Sequence, residues 1–147
     1  MIATRPIAPS RTDFRQFRPI ATRWQDNDHY GHVNNVVYYS YFDTAVNGYL
    51  IDATKTDIRE LPAIGLVVET GCQYFAPVSF PDQLEIGLAL ERLGKSSIVY
   101  RLGVFLAGHG QAVAVGRFVH VYVDAATRKP VTVPDIIRHA IEPLAGL

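Results

Sequence analysis

The sequence predicts an α+β domain in which one long apolar helix packs against an antiparallel sheet. A single helix-like pattern follows the first strand-like run, and four further strand-like runs with short connections come after it. Short connections favour antiparallel neighbours. The chain has 147 residues and is 48% hydrophobic, so we expect one domain with a substantial core.

Each element is marked by its own periodicity. The first strand is predicted over residues 17–24, because apolar and polar residues alternate there. The helix is predicted over residues 36–51, where apolar residues recur every three or four positions: Val36, Val37, Tyr41, Phe42, Ala45, Tyr49 and Leu50. Few charges interrupt it, so we expect the sheet to enclose most of its faces.

The later elements follow in order. Strands are predicted over residues 64–75, 83–93, 97–106 and 111–124, separated by proline and glycine turn signals. A terminal helix is predicted to begin at Pro134, with Ile136, Ile137, Ala140 and Ile141 on one face. We assign residues 17–147 to this single domain and residues 1–16 to a flexible N-terminal arm.

The charge balance limits the classes of binding partner that we expect, and the cysteine content indicates the cellular compartment. Lys and Arg together number 14, as do Asp and Glu, so the formal net charge is zero. No global field then favours nucleic acid or an anionic membrane, and near-zero charge favours a homo-oligomer. The single cysteine, Cys72, predicts a reducing, cytoplasmic location. The N-terminus lacks a secretory pattern, and a weaker organelle-targeting interpretation stays open.

Ionisable and amide side chains are concentrated in residues 23–35, between the first strand and the helix. A helix start offers free backbone N–H groups, which makes this junction a candidate reaction site. Asp28 is either a catalyst or a turn residue. Asp26 is expected to accept a backbone N–H, and His29 to be exposed. Asn34 or Asn35 is a suitable helix cap.

His32 has two open interpretations. It could orient a substrate or hold a water, or it could fix the loop by hydrogen bonding. His109, His120 and His139 are scattered along the chain without metal-ligand spacing, so no metal site is predicted. Basic residues could bind the phosphate groups of an anionic ligand, and the candidates are Arg92, Lys95, Arg101 and Arg117.

The segment Asp26-Asn27-Asp28-His29-Tyr30-Gly31-His32-Val33-Asn34-Asn35, followed by Tyr38, Tyr39 and Phe42-Asp43, resembles the signature of hotdog-fold acyl-CoA thioesterases. The group most similar is the 4-hydroxybenzoyl-CoA thioesterase-like family. The resemblance extends to Pro77-Val78, Pro81-Asp82 and Gly94-Lys95-Ser96-Ser97, and so covers about residues 17–125. It implies a hotdog fold, in which a five-stranded antiparallel sheet wraps one central helix, and a homodimer or homotetramer.

The resemblance also implies a reaction, the hydrolysis of an acyl-CoA without metal or cofactor. Asp28 matches the carboxylate that attacks the thioester carbonyl or activates a water, and the amides of residues 33–36 would bind the carbonyl oxygen. The implied catalytic group is Asp28, His32 and Asn35. The implied substrate-binding residues are Gly31, Val36, Tyr38, Lys95, Ser96 and Ser97.

Two alternatives stay open beside this reaction, and a third is disfavoured. In an acyl-carrier-protein thioesterase of the plant type, His32 matches the family histidine but Tyr30 stands in place of its asparagine. A non-catalytic acyl-CoA binding protein would keep the pocket and lose the chemistry. Enoyl-CoA hydration is disfavoured, because Asp28 and His32 are four residues apart with no Asn-Pro between them.

Overall fold

The computed structural model of the protein describes residues 6–146. It contains the predicted helices and strands, with most bounds within three residues of those expected. They are β1 (Gln16–Ala21), α1 (Val37–Thr54), β2 (Ala63–Tyr74), β3 (Gln83–Leu93), β4 (Ser97–Leu106), β5 (Ala114–Asp124) and α2 (Asp135–Ile141). No helix among residues 6–146 is long and apolar enough to cross a membrane.

The five strands form one antiparallel sheet in the order β1-β3-β4-β5-β2. β3, β4 and β5 are neighbours in both sequence and space, as their short connections predict. β2 instead pairs with β5, so that Ala63 lies opposite Asp124 and Tyr74 opposite Ala114. The segment containing α1 therefore crosses the whole sheet between its two edge strands, and α1 lies across one face.

α1 buries one side against the sheet and leaves the other exposed. Its buried residues are Tyr38, Tyr41, Phe42, Ala45, Val46, Tyr49 and Leu50. Ser40, Asp43 and Asp52 are exposed, which corrects the expectation of enclosure on most faces. The polar residues of α1 are few, but they share one side, and that side faces water. The five-stranded antiparallel sheet with a helix packed on it is confirmed.

α1 packs tightly against the sheet at Phe42. Its ring is fully buried and lies over Gly116 of β5, where an added Cβ would be 2.4 Å from the ring. Only glycine leaves the space that this contact requires. α1 ends at Lys55, which adopts a left-handed conformation with φ 53° and donates its backbone N–H to Ile51, a common helix termination.

Part of the predicted N-terminal arm lies against the opposite face of the sheet. Residues 1–5 fall outside the described residues. Ala112 donates its N–H to Pro9 at 2.9 Å, and Phe14 is buried with its ring edge-on to Phe105 at 5.6 Å. A Cβ at Gly103 would be 2.6 Å from the Phe14 ring. Residues 9–16 are therefore packed rather than loose.

Candidate active site

The loop between β1 and α1 is closed at its base and tied to the β2–β3 connection. Asn27 and Val33 form an isolated antiparallel bridge, and Val33 donates its N–H to Val78 at 2.8 Å. The Asn27 side chain donates to Ser79 Oγ at 3.2 Å and accepts the Phe80 N–H at 3.0 Å. These contacts fix where the loop tip stands relative to the helix start.

Asp28 lies at one end of the tight turn at the loop tip. Its backbone N–H donates to the His32 carbonyl at 2.9 Å, and its carbonyl accepts the Gly31 N–H at 3.2 Å. Gly31 has φ 80°, a conformation that favours glycine. Asp28 Oδ1 accepts the Tyr30 N–H at 2.8 Å. Within the described residues Oδ2 has no protein partner, so the turn role occupies one oxygen and leaves the other available.

His32 does not hold this loop together. Its side chain is exposed and makes no hydrogen bond within residues 6–146, and the loop is fixed by Asn27 and Ser79 instead. The structure therefore disfavours the loop-fixing interpretation. His29 is exposed as expected.

Asp26 is the buried anchor beneath the loop, with 1% of its side chain exposed. Its carboxylate accepts the Tyr41 hydroxyl at 2.7 Å, the Arg23 backbone N–H at 2.9 Å and Arg23 Nε at 3.0 Å. Burial raises the pKa of Asp26, but the hydrogen bonds from Tyr41 and Arg23 together outweigh it and hold the pKa below its ordinary value. The expected N–H acceptor role is confirmed.

Replacing Asp26 with asparagine is expected to destabilise the fold by about 1.5–3 kcal/mol at pH 7, since a buried charge-assisted hydrogen bond is lost. The native pKa lies below the ordinary 3.8. The stability it contributes is therefore present above about pH 4 and is lost as the pH falls through the native pKa. Urea unfolding at several pH values measures this, and the difference from wild type should shrink below pH 4. A constant difference would contradict the account.

A cavity of about 450 Å³ opens beside this loop. Four of the residues implied by the resemblance line it together: Asp28, His32, Asn35 and Tyr38. Its other walls are Tyr30, Val33, Tyr74, Phe75, Ala76 and Pro77. The last four come from the end of β2 and the residues after it. These four residues were not predicted as part of the site, because only the pairing of strands brings that segment beside the start of α1. The aromatic and apolar run Tyr74-Phe75-Ala76-Pro77 is the sequence feature that could have indicated a binding surface.

The four backbone N–H groups of residues 33–36, just before α1, differ in whether they are already hydrogen-bonded within the protein. Val33 donates to Val78 at 2.8 Å, and Asn34 donates to the Asp26 carbonyl at 2.8 Å. Val36, the N-cap residue of α1, donates its N–H to Asn34 Oδ1 at 3.2 Å, so the Asn34 side chain holds the turn that leads into the helix. Among residues 6–146 the Asn35 N–H has no protein acceptor, which makes it the free donor of the four.

The Tyr74 side chain holds the peptide group between Asn35 and Val36 in place. Its hydroxyl donates to the Asn35 carbonyl at 2.7 Å, and its ring stands edge-on to Tyr38 at 4.9 Å. Burial raises the pKa of Tyr38 to about 12 and that of the nearby Cys72 thiol to about 11. Both groups are therefore protonated at neutral pH, and Cys72 is no thiolate nucleophile. Half-buried Cys72 packs against the core, close to the role expected for it.

The remaining implied residues lie elsewhere. Gly31 shapes the turn, and Val36 is exposed before α1. The turn of residues 94–97 follows the far end of β3, an 11-residue strand and hence about 35 Å long. Carbonyls of this turn accept from β5 and from the segment before α2: Lys95 accepts from Val133 at 2.9 Å, and Ser96 accepts from Tyr122 at 2.7 Å. Within one protomer Lys95, Ser96 and Ser97 therefore lie apart from Asp28, and their substrate-binding role stays a prediction.

Two other basic candidates, Arg101 and Arg117, are on the face of the sheet opposite α1. Arg117 forms ion pairs with Glu69 and Glu91, and Arg101 lies over the Phe14 ring at 5.6 Å. Across residues 6–146, no group of three His, Cys, Asp or Glu side chains could hold a metal ion.

An acidic loop at the start of one helix, backed by a five-stranded antiparallel sheet, is the arrangement of the hotdog-fold thioester hydrolases that the sequence resembles. Comparison with known families agrees. The family described as the Thioesterase-like superfamily matches residues 22–141, and the chain belongs to it.

Individual relatives support the same class. The PA5185 protein from Pseudomonas aeruginosa strain PAO1 is 51% identical, with a TM-score of 0.92 over 95% of this chain and 98% of that one. A 1,4-dihydroxy-2-naphthoyl-CoA hydrolase from Synechococcus sp. (strain CC9605) is 39% identical over 85 residues, which are 57% of this chain and 56% of that protein. The chain thus spans little more than half the length of that relative.

A third relative shows similarity of fold alone. The 1,4-dihydroxy-2-naphthoyl-CoA thioesterase Slr0204 from Synechocystis is 17% identical, with a TM-score of 0.77 over 85% of this chain and 93% of that one. The predicted family is therefore confirmed by the match over residues 22–141, and this similarity of fold agrees with the predicted hotdog fold.

Proposed function

We propose that this protein hydrolyses an acyl-CoA thioester to a carboxylic acid and free coenzyme A. The observation that carries the proposal is the meeting of two groups at one cavity. In the part of the chain that the structure describes, Asp28 Oδ2 and the Asn35 N–H have no protein partner, and both belong to residues that line this cavity. A carboxylate and a helix-start amide are the two groups that attack on a thioester carbonyl requires.

The reaction follows from these two groups. The carbonyl oxygen becomes negative as the carbon is attacked, and the Asn35 N–H stabilises that charge. Asp28 either takes a proton from the attacking water or attacks the carbon itself, in which case water then hydrolyses the acyl-aspartyl anhydride. A new C–O bond forms, the C–S bond breaks, and the sulfur leaves as a thiolate. His32, exposed beside Asp28, is placed to orient the water or the substrate.

The walls of the cavity suit an acyl group. Tyr38, Tyr74 and Phe75 supply apolar and aromatic surface, the kind of lining that binds small organic ligands. One relative is a 1,4-dihydroxy-2-naphthoyl-CoA hydrolase, which supports testing hydroxyaryl as well as aliphatic acyl groups.

The proposal is tested by measuring thiol release from a panel of acyl-CoAs: hydroxyaryl, benzoyl, short-chain and long-chain. Each acyl group is also presented on acyl carrier protein. We expect turnover of at least one acyl-CoA with kcat/KM above that of its carrier-linked form. Preference for the carrier-linked form would instead assign an acyl-carrier-protein thioesterase. Ligand-induced thermal stabilisation without thiol release would assign a binding protein.

We also propose that two copies pair through β2 as a homodimer, on which a tetramer could be built. β2 is an edge strand of 12 residues, and it exposes the apolar side chains Leu66, Val67 and Val68, the last at 59%. A long apolar edge strand is a template for pairing with another chain. With a two-fold axis at the middle of β2, the free edges of the two β2 strands would hydrogen-bond to each other.

Replacing Val68 with arginine is expected to convert the oligomer to a monomer. Antiparallel self-pairing around the strand centre brings the same residue of both copies close together, so the introduced charges repel each other. Light scattering after size-exclusion chromatography measures the mass. Ile136→Arg is the matched control, since Ile136 is an exposed apolar residue on α2 and its replacement should leave the mass unchanged. A Val68→Arg oligomer of wild-type mass would contradict β2 pairing.

A further inference from the structure

We infer that Tyr74 is a positioning residue for the reaction: its hydroxyl holds Asn35 so that the Asn35 N–H points at the carbonyl oxygen of the substrate. This role rests on the proposed function, in which that N–H stabilises the developing charge. Among residues 6–146 the N–H has no protein acceptor, and the Tyr74 hydroxyl donates to the carbonyl of the same residue at 2.7 Å. Both contacts lie within one protomer, so they do not require pairing through β2.

Two neighbouring peptide groups set the direction of the Asn35 N–H. The first joins Asn34 to Asn35 and contains this N–H. Its carbonyl, on Asn34, accepts the N–H of Val37, the first residue of α1, at 2.9 Å. The C=O and the N–H of a trans peptide point in opposite directions. Because the carbonyl points toward the first turn of α1, the Asn35 N–H points out from the helix start.

The second peptide group joins Asn35 to Val36 and has two anchors. Its N–H donates to Asn34 Oδ1 at 3.2 Å, a contact between near neighbours in the chain. Its carbonyl accepts the Tyr74 hydroxyl at 2.7 Å, a contact supplied by the sheet. The two peptide groups share the Cα of Asn35, so rotation of the second changes the backbone angles that orient the first. Without the hydroxyl, the longer local contact remains, and the Asn35 N–H can turn away from its direction.

Tyr74 is itself held firmly at the end of β2. The N–H groups of the next two residues, Phe75 and Ala76, both donate to the Val113 carbonyl, at 2.8 and 3.1 Å. The Tyr74 ring stands edge-on to Tyr38 at 4.9 Å, and Tyr38 is only 2% exposed. The hydroxyl therefore projects from a braced strand end onto the segment that leads into α1.

The Tyr74 hydroxyl is a donor whose single proton is already used. A phenolic hydroxyl has one proton to donate, and here the Asn35 carbonyl accepts it. Burial raises the pKa of Tyr74 above its ordinary value, so the hydroxyl stays protonated at neutral and mildly alkaline pH. Tyr74 consequently acts through the Asn35 peptide and does not supply a proton to the substrate.

Tyr74→Phe removes this hydroxyl and keeps the ring that packs on Tyr38. Tyr74 is 42% exposed and the variant retains every carbon atom, so the fold should persist. We expect kcat to fall about tenfold, less than the 10²–10³-fold loss for deleting an oxyanion donor, because the N–H is misdirected and not removed. KM should stay within about twofold, since the charge on oxygen develops only in the transition state. Tyr74→4-aminophenylalanine restores a donor and should recover most of kcat.

Tyr49→Phe is the matched control. The Tyr49 hydroxyl also donates to a backbone carbonyl, that of Ala140, at 2.6 Å, and Tyr49 does not line the Asp28 cavity. The control therefore loses the same kind of hydrogen bond at a structural position. Its kcat and KM should equal those of wild type, and an equal fall of kcat in both variants would overturn the role of Tyr74.

Backbone amide shifts of the ¹⁵N-labelled variants give a readout that needs no turnover. The Asn35 amide is not part of the peptide group that loses its hydrogen bond, so a change in its shift reports that the effect is transmitted. We expect this change in Tyr74→Phe and not in Tyr49→Phe. An unmoved Asn35 amide, or a folded Tyr74→Phe variant with wild-type kcat, would overturn the role of Tyr74 and leave the proposed function standing. Absence of thiol release by the wild-type protein would instead overturn the proposed function, and this role with it.

Discussion

Replacing Asp28 with asparagine is expected to lower kcat for thioester hydrolysis by about 10²–10⁴-fold, the range for loss of a positioned acid–base group. Asparagine keeps an oxygen that can accept the Tyr30 N–H, the contact Asp28 Oδ1 makes at 2.8 Å. The turn should therefore persist. The free Oδ2 becomes an amide NH₂, which can neither take a proton from water nor attack a carbonyl. KM should change little, because the cavity walls are intact.

Thiol release under steady-state conditions measures this loss, with circular dichroism to verify folding. Asp43→Asn is the matched control, since Asp43 is an exposed carboxylate of α1 outside the cavity, and its rate should equal that of wild type. A folded Asp28→Asn variant with unchanged turnover would remove Asp28 from the reaction.

The two possible roles of Asp28, nucleophile and general base, can be distinguished by experiment. Rapid acid quench followed by intact-protein mass spectrometry would reveal an acyl group on the protein if Asp28 attacks the thioester directly. General-base catalysis forms no acyl-protein at any quench time.

Replacing Phe42 with alanine is expected to destabilise the protein by about 3–5 kcal/mol, as large-to-small changes of buried aromatic residues do. Phe42 is fully buried, and its ring occupies the space above Gly116. Its removal leaves a cavity where α1 packs against β5. Urea unfolding measures the loss, and a cost below about 1 kcal/mol would contradict this role of the contact.

Gly116→Ala tests the same contact from the sheet side. Its Cβ would lie 2.4 Å from the Phe42 ring, and overpacking of this kind costs about 1–3 kcal/mol. A smaller side chain at position 42 should relieve the clash. The Phe42→Leu, Gly116→Ala double variant is therefore expected to be more stable than the sum of the single changes predicts. Strict additivity would show that the two residues do not share this space.

The element boundaries were largely predictable because the responsible interactions are local. The limits of β3 and β4 coincide with the predicted ranges, and α1 begins one residue after its predicted start. Alternation and three- to four-residue spacing record which side of each element is buried. Strand order was not predictable in this way. Sequence order alone does not show that β2 leaves its chain neighbour β3 and pairs with β5.

The candidate site likewise has a part that the sequence predicts and a part that depends on the tertiary structure. Asp28, His32, Asn35 and Tyr38 lie within 11 residues of one another in the sequence, and a short chain segment cannot separate them far. The turn at Lys95 is distant in sequence, and its place depends on the direction and length of β3. Tyr74 shows the reverse case. It lies far from Asn35 along the chain but donates to the Asn35 carbonyl.

By itself the sequence determined the α+β class, the extent of most elements and the loop in which Asp28 stands. Hydrophobic periodicity and a compact motif are local properties of the chain, so they can be read without coordinates. The tertiary structure alone decided which groups around Asp28 are still free to act. Within residues 6–146, Asp28 Oδ2 has no protein partner because the turn uses only Oδ1, and the Asn35 N–H is the free donor because the neighbouring amides are bonded to Val78, Asp26 and Asn34. The folded arrangement of these hydrogen bonds settles that question, because a donor bonded within the protein is not available to the substrate.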